Sequence, residues 1–527
     1  MFSIAPLFSD HAVLQRDRPV YIWGTAFNES QEEVLTISLV DFREGDVGKV
    51  VSKQTVLAPS GQKHGESLRW EAYLEPQSAG GPYELIVSLE KPPEATPVQV
   101  KYISDIRFGD VYILAGQSNI EFRLSEDREY EEGALIGLDN PQIRTFRVPR
   151  VDYPGAEPEN DPENNTWSLL SKDTAGRFSA VAFYFGVRLH EHSGVPIGFI
   201  DVCRGGTSAS VWVDESCLSR DPDLRVYLDE YRELLANLDR EKNKRDTDAY
   251  YENIAVYYAK TAPCRAGKWS CAQIEKRFGS VPWPPPAGPY SYRTPSGLFH
   301  TMLEPCIPYG ISAVIFYQGE EDVARYPLYS KLLRSLIAHW RERWAMPELP
   351  FFLVQIAPYN YPEIKGPGAA LLKQTQSRIA AEVPGVTLVI TTDCGDADDV
   401  HPKSKRKIGE RLFKKACRYI LGEDVIAESP VMKSCEIRRH TMDIGFETFG
   451  SPLRAGADGN DETLIGFKIA GEDGVFYSAN AVIEGHHVLL TARQVSMPRF
   501  VQYAFGAFVP ANLYNNEGLP AVPFCTR

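Results

Sequence analysis

The chain has 527 residues, 43% of them hydrophobic and 11% aromatic, which excludes global disorder and predicts roughly two to four domains with large cores. A formal charge of -14 and a pI near 5.4 argue against nucleic acid or an anionic membrane surface as partner. No apolar run of 18 residues predicts a membrane span, and nine scattered cysteines without a CxxC read as reduced thiols, with Cys264–Cys271 the one local pairing to check.

The opening MFSIAPLFSDHAVLQ lacks a basic segment followed by an apolar one. As written the chain reads as cytoplasmic, or as periplasmic or secreted if a signal has been removed. Residues 1–104 then read as a β-sandwich: Val20 to Trp23, Val34 to Val40, Trp70 to Leu74 and Tyr83 to Leu89 are short strands separated by Gly, Pro and polar turns.

From Asp105 the pattern changes. Val111 to Ala115, Ile197 to Val202, Ile311 to Tyr317, Phe351 to Ile356 and Val386 to Thr392 are compact apolar runs, as buried parallel strands are. Phe178 to His192, Tyr329 to Trp344 and Ser404 to Ile420 carry apolar stripes at helical spacing. Alternating strands and helices predict a doubly wound α/β domain over 105–427. An insertion at about 215–295 interrupts it, with helices over Leu224 to Leu238 and Tyr250 to Tyr258, a charged stretch between them, and a proline-rich loop from Pro282 to Pro289. Such an insertion shapes a pocket or decorates the surface, with equal weight on each. Residues 428–527 read as a β-rich domain.

Four segments carry chemistry. Ser118 follows Val111 to Ala115 at the turn Gly116-Gln117, so its hydroxyl can project from the sheet's carboxyl edge. Ile120 stands where a G-x-S-x-G elbow needs its second glycine, and a turn serine is the commoner bland alternative. Asp398-Asp399-Val400-His401-Pro402 precedes the last helix of the α/β region. It can supply a base for a serine and a carboxylate to orient it; a capping loop is the alternative. Gly205-Gly206 after Ile197 to Val202 can turn amides toward an oxyanion, although a lone Gly-Gly is more often a plain turn. Gln318, at the end of the strand from Ile311, can offer its side-chain amide or cap the sheet edge.

Together these segments resemble the sialate O-acetylesterase family of SGNH-type hydrolases. Gly109-Asp110-Val111-Tyr112 leading into Gly116-Gln117-Ser118-Asn119-Ile120 resembles the family's GDVW and GQSNM. Gly205-Gly206-Thr207 with Trp212 resembles its GGT segment, Phe316 to Glu320 its WYQGE, and Asp399 to Pro402 its DIHP. Leu7-Phe8-Ser9-Asp10 and Glu517-Gly518-Leu519-Pro520 extend the likeness to both ends. The resemblance implies an SGNH-like sheet flanked by β-sandwich-like regions. It also implies a triad of Ser118, His401 and either Asp398 (favoured, three before the histidine) or Asp399. The oxyanion hole would use the Ser118 amide, Gly205 or Gly206, and Gln318. Asn119, Arg123, Arg204 and Glu320 are the expected substrate-side residues; Asn119 also steadies the nucleophile loop, and the arginines could clamp a carboxylate, although a structural ion pair is the commoner role for each in an acidic chain. Arg204, Ser210, Glu321-Asp322 and His300-Thr301 depart from the family pattern, which leaves the sugar open.

The expected reaction is hydrolysis of O-acetyl groups from sugars, O-acetylated sialic acid first and acetylated xylan or another plant polysaccharide second. A non-catalytic carbohydrate-binding protein is the alternative of another class. No HExxH, Walker A or GxGxxG segment stands in place, so no metal or cofactor is expected. The expected partner is the acetylated sugar, with neither nucleic acid nor membrane.

Overall fold

The computed structural model describes residues 1–26, 33–43, 48–58, 68–91, 97–161, 163–266, 269 and 271–527. Near the N-terminus, Val20–Ala26 pairs antiparallel with Phe2–Ile4 and Leu68–Leu74. Val34–Asp41, Lys49–Leu57 and Gly80–Glu90 form a second antiparallel group. That group joins β1 (Gln99–Gly116), a single strand of 18 residues. Its first half pairs with Gly80–Glu90, and its second half lies at the centre of a parallel sheet. The domain boundary expected after residue 104 therefore falls inside one strand. Polar Ser104-Asp105 breaks the apolar pattern without breaking the strand, and Arg107 and Arg144 hold the Asp105 carboxylate.

The remaining central strands are β2 (Asn140–Arg147), β3 (Trp167–Leu170), β4 (Ile197–Cys203), β5 (Ala313–Tyr317), β6 (Phe351–Val354) and β7 (Val386–Val389). Their order is β3-β2-β4-β1-β5-β6-β7, parallel except for β3 against β2. With Val13–Gln15 and the second N-terminal group they make one large mixed sheet, whereas Phe2–Ile4, Val20–Ala26 and Leu68–Leu74 form a separate three-stranded sheet. The chain runs outward from β1 in one direction and then in the other. The carboxyl end of β1, between β4 and β5, is thus a topological switch point, where open α/β sheets form crevices.

Alternate residues of β1 feed two cores. Val111, Ile113 and Ala115 join one; Tyr112 and Leu114 join the other. The second core is closed by α2 (Ala180–Ser193) and α8 (Arg406–Tyr419). The first is closed by α6 (Tyr326–Arg343) and α7 (Gly368–Glu382). Leu332, Leu333, Leu336, Ile337 and Trp340 of α6 are all buried, each aliphatic side chain contributing about 1.5–3 kcal/mol. Ser179 caps α2, and Gly194 ends it in the left-handed conformation (φ 69°). The short helix α1 (Ser118–Glu121) follows β1 directly.

The insertion holds α3 (Arg225–Ala236), α4 (Arg240–Ala266) and α5 (Cys271–Phe278). The charged stretch expected to separate two helices is itself the start of α4. Its many charges lie on exposed positions where a helix tolerates them. Cys264 carries a free thiol, and the Cys271 side chain lies outside the described residues.

After residue 428 two four-stranded sheets and a two-stranded pair surround a core of their own. Lys373 of α7 ties this region to the α/β core by donating to the Ala507 carbonyl at 2.7 Å. No helix among the described residues is long and apolar enough to cross a membrane.

Candidate active site

Ser118 stands where it does because of Gly116. Gly116 has φ 131°, and a Cβ there would lie 2.2 Å from the Tyr317 carbonyl oxygen. The bend brings the Gln117 amide onto that same oxygen at 3.1 Å. The Gln117 side chain in turn accepts from the Gly319 amide at 3.2 Å. Ser118 leaves this clamp as the first residue of α1, half-buried at the switch point. His401 arrives on the loop before α8. Its Nε2 lies 2.7 Å from Ser118 Oγ, within direct proton-transfer reach.

The two aspartates behave differently. Asp399 Oδ1 accepts the His401 main-chain amide at 2.9 Å, which shapes the loop. Asp398 is exposed, and its own amide donates to Asp396.

Several expected donors are engaged inside the protein. Gln318 is fully buried; its side-chain amide donates to the Thr207 carbonyl at 3.1 Å and to Asp322 Oδ2 at 2.5 Å, and Tyr329 donates to its oxygen. Both N–H groups are committed, so Gln318 is a brace rather than an oxyanion donor. The Gly205 amide donates to Glu121 Oε2 at 2.6 Å and is likewise occupied. Among the described residues no acceptor meets the amides of Ser118 or Gly206.

The substrate-side expectations are also redirected. Asn119 is fully buried, donating to Glu320 Oε1 (2.8 Å) and the Val400 carbonyl (3.0 Å) and accepting from Lys405 Nζ (2.7 Å). Glu320 is buried with it, and burial pushes its carboxyl up. Arg123 donates to Asp201 at 2.9 Å and to the Arg177 carbonyl. Arg204 donates to Asp152 at 2.9 Å and lies 4.2 Å over the Tyr292 ring. All four are held by partners within the chain because a buried polar or charged group must be paired.

A family profile described as "Carbohydrate esterase, sialic acid-specific acetylesterase" matches residues 297–418, which hold β5 to β7 and His401. Sialate O-acetylesterase of Rattus norvegicus is 26% identical over 467 residues, covering 83% of this chain and 77% of the rat protein. The Homo sapiens protein of the same name is 23% identical over 473 residues, covering 83% and 75%. A carbohydrate acetylesterase of Xanthomonas citri, solved by crystallography, matches 100% of both chains at 26% identity with a TM-score of 0.75. The chain is an esterase related to the sialate O-acetylesterase family.

The non-catalytic alternative thereby falls away, and the structure gathers residues around Ser118 that the sequence did not reveal. Glu121, three after the serine, binds both Gly205 and Arg150. Burial works to raise its carboxyl, but Arg150, Arg123 and Arg204 outweigh that and hold it below the usual range. Lys405 is fully buried, with Nζ 4.7 Å from the Phe122 ring centre, and burial pushes its ammonium down to about 8. In sequence it is one cation of the basic run Lys403 to Lys407, and only the fold buries it, at the position just before α8 begins. Among the described residues, His192, Cys417 and Glu423 form a group that could hold a metal ion, but His192 and Glu423 already bond each other at 2.8 Å and lie on α2 and beyond α8.

Proposed function

We propose that this esterase hydrolyses O-acetyl groups on sugars, with O-acetylated sialic acid as the substrate class, through Ser118 and His401. The observation that carries the reading is the 2.7 Å contact between Ser118 Oγ and His401 Nε2. The relatives' names supply the substrate class.

In the first step Oγ attacks the acetyl carbonyl carbon, and the hydroxyl proton passes to Nε2 of a neutral His401. The Ser118 and Gly206 amides receive the negative charge on the carbonyl oxygen. The carbon–oxygen bond to the sugar then breaks, and His401 returns its proton to the leaving hydroxyl. Water attacks the acetyl-serine with His401 again as base, releasing acetate and restoring Ser118.

Asp398 is the acid in this reading. It stands three before the histidine, and its carboxylate is bound to no other group among the described residues, whereas Asp399 is engaged with the loop. The test is acetate release from O-acetylated sialic acids, acetylated xylan and a simple acetyl ester by the wild type and Ser118→Ala. Activity retained by Ser118→Ala refutes the nucleophile. A clear preference for acetylated xylan refutes the substrate class.

A further inference from the structure

Trp283 belongs to the insertion, in the proline-rich loop, yet it stands beside the nucleophile. A Cβ at Gly206 would lie 2.0 Å from the Trp283 ring, and one at Gly205 would lie 3.4 Å from Ser118 Cβ. The indole thus packs directly on the glycine turn that flanks Ser118. It is nevertheless 46% exposed. The Arg293 guanidinium lies 5.0 Å from its ring centre and is itself held by Glu321, the residue after Glu320. A braced aromatic with a free surface at the rim of a site is arranged to stack on something.

A groove of about 770 Å³ begins at the neighbouring Pro282. Tyr250, Asn253, Tyr257, Lys260, Arg277 and Phe278 line it, together with Asp246. The groove is anchored to the same glycine turn, because Tyr251 on α4 and Arg204 both donate to Asp152 Oδ2. Its far wall is fixed by Tyr257, which donates to the Gly279 carbonyl at 3.0 Å. Aromatic side chains together with hydroxyl-bonding groups match a sugar chain. Pyranose rings offer C–H faces to aromatics and hydroxyls to amides and cations.

We propose that the insertion is an oligosaccharide-binding surface: Trp283 stacks on the sugar next to the scissile acetyl, and the groove takes the units beyond it. This rests on the reading of Ser118 as the nucleophile of a sugar acetylesterase. It assigns the insertion a role in selecting polymeric over simple acetyl esters.

The experiment measures, for each variant, the ratio of kcat/KM on an O-acetylated oligosaccharide to that on 4-nitrophenyl acetate. Trp283→Ala lowers the ratio about tenfold, whereas Trp283→Phe keeps it within about twofold. Arg277→Ala and Asn253→Ala, on exposed side chains, lower it about two- to fivefold without touching the core. Ratios unchanged across these variants overturn the proposal. A separate titration of the Ser118→Ala protein with the deacetylated oligosaccharide, read by calorimetry, does not depend on catalysis. Saturable binding that Trp283→Ala abolishes supports the surface even if the esterase reading fails; no binding overturns it.

Discussion

Lys405→Met tests the reasoning where charge, burial and mechanism meet. Lys405 is fully buried between Asn119, Phe122 and Glu320, and burial lowers its ammonium from 10.5 to about 8. That lowering corresponds to about 3 kcal/mol. At pH 7 the lysine is charged in both states, and the folded protein bears the whole burial cost. As pH rises through about 8 the folded lysine releases its proton, while the unfolded chain keeps it to about 10.5. The unfolded state then binds more protons, so the lysine's contribution to stability rises across this window. Methionine of similar length cannot titrate. The wild type should therefore gain about 3 kcal/mol on Lys405→Met between pH 8 and 10.5, measured by urea unfolding at each pH with equal m-values. Other titrating groups, buried Lys373 included, are common to both proteins and cancel. At pH 7 the relieved burial is offset by Asn119 Oδ1 losing its donor, a cost of about 1–3 kcal/mol, and by Glu320 losing a nearby cation. A stability difference that stays flat from pH 8 to 10.5 refutes the account of a buried, titrating lysine.

Ser118→Ala and His401→Ala should each lower acetyl ester hydrolysis by about 10³-fold or more with unchanged urea midpoints; comparable activity would return both to the role of turn residues. Asp398→Asn should lower kcat by about 10²-fold or more, whereas Asp399→Asn, which weakens an acceptor for the His401 amide, should cost about 1 kcal/mol of stability with a smaller kinetic effect. The reverse ranking would make Asp399 the acid. Arg123→Met should cost about 3–5 kcal/mol of stability, because it leaves Asp201 buried without its cation. Intact stability with a raised KM would return Arg123 to the substrate.

The strands that carry the site were legible because they are buried on both faces and read as dense apolar runs. β4, β5, β6 and β7 lie within or close to the runs named from sequence. β2 was not, since Pro141, Gln142 and Arg144 dilute it; Arg144 is nonetheless fully buried, satisfied by the carbonyls of His11 and Asp105. α7 escaped because its stripe is short on large residues: Ala369, Ala370 and Thr375 pack where Leu or Phe would have announced a helix. The serine, the histidine and the glycine turn were found through local chemistry and order along the chain. Which amide hydrogens remain available was not legible, because that depends on partners distant in sequence. Gln318 meets Thr207, and Gly205 meets Glu121, only after β5 and β4 have taken their places beside β1.

The arginines beside Ser118 show why a charged residue near a nucleophile in sequence is weak evidence for substrate binding. Arg123, Arg150 and Arg204 converge with Asp201, Glu121 and Asp152 in a small buried volume. At that density each cation needs its anion, since an unpaired buried charge costs more than a substrate carboxylate would return. The network therefore fixes the geometry of the glycine turn: Glu121 holds Gly205 on one side, and the Asp152–Arg204 pair carries α4 on the other. Selectivity then has to come from groups that keep free surface, and beside this turn Trp283 is such a group. The reaction and the choice of sugar are in this way assigned to different parts of the chain. In the proposed reading the chemistry belongs to the switch point of the central sheet and the choice of sugar to the inserted helices and loop, which meet Ser118 only through the glycine turn.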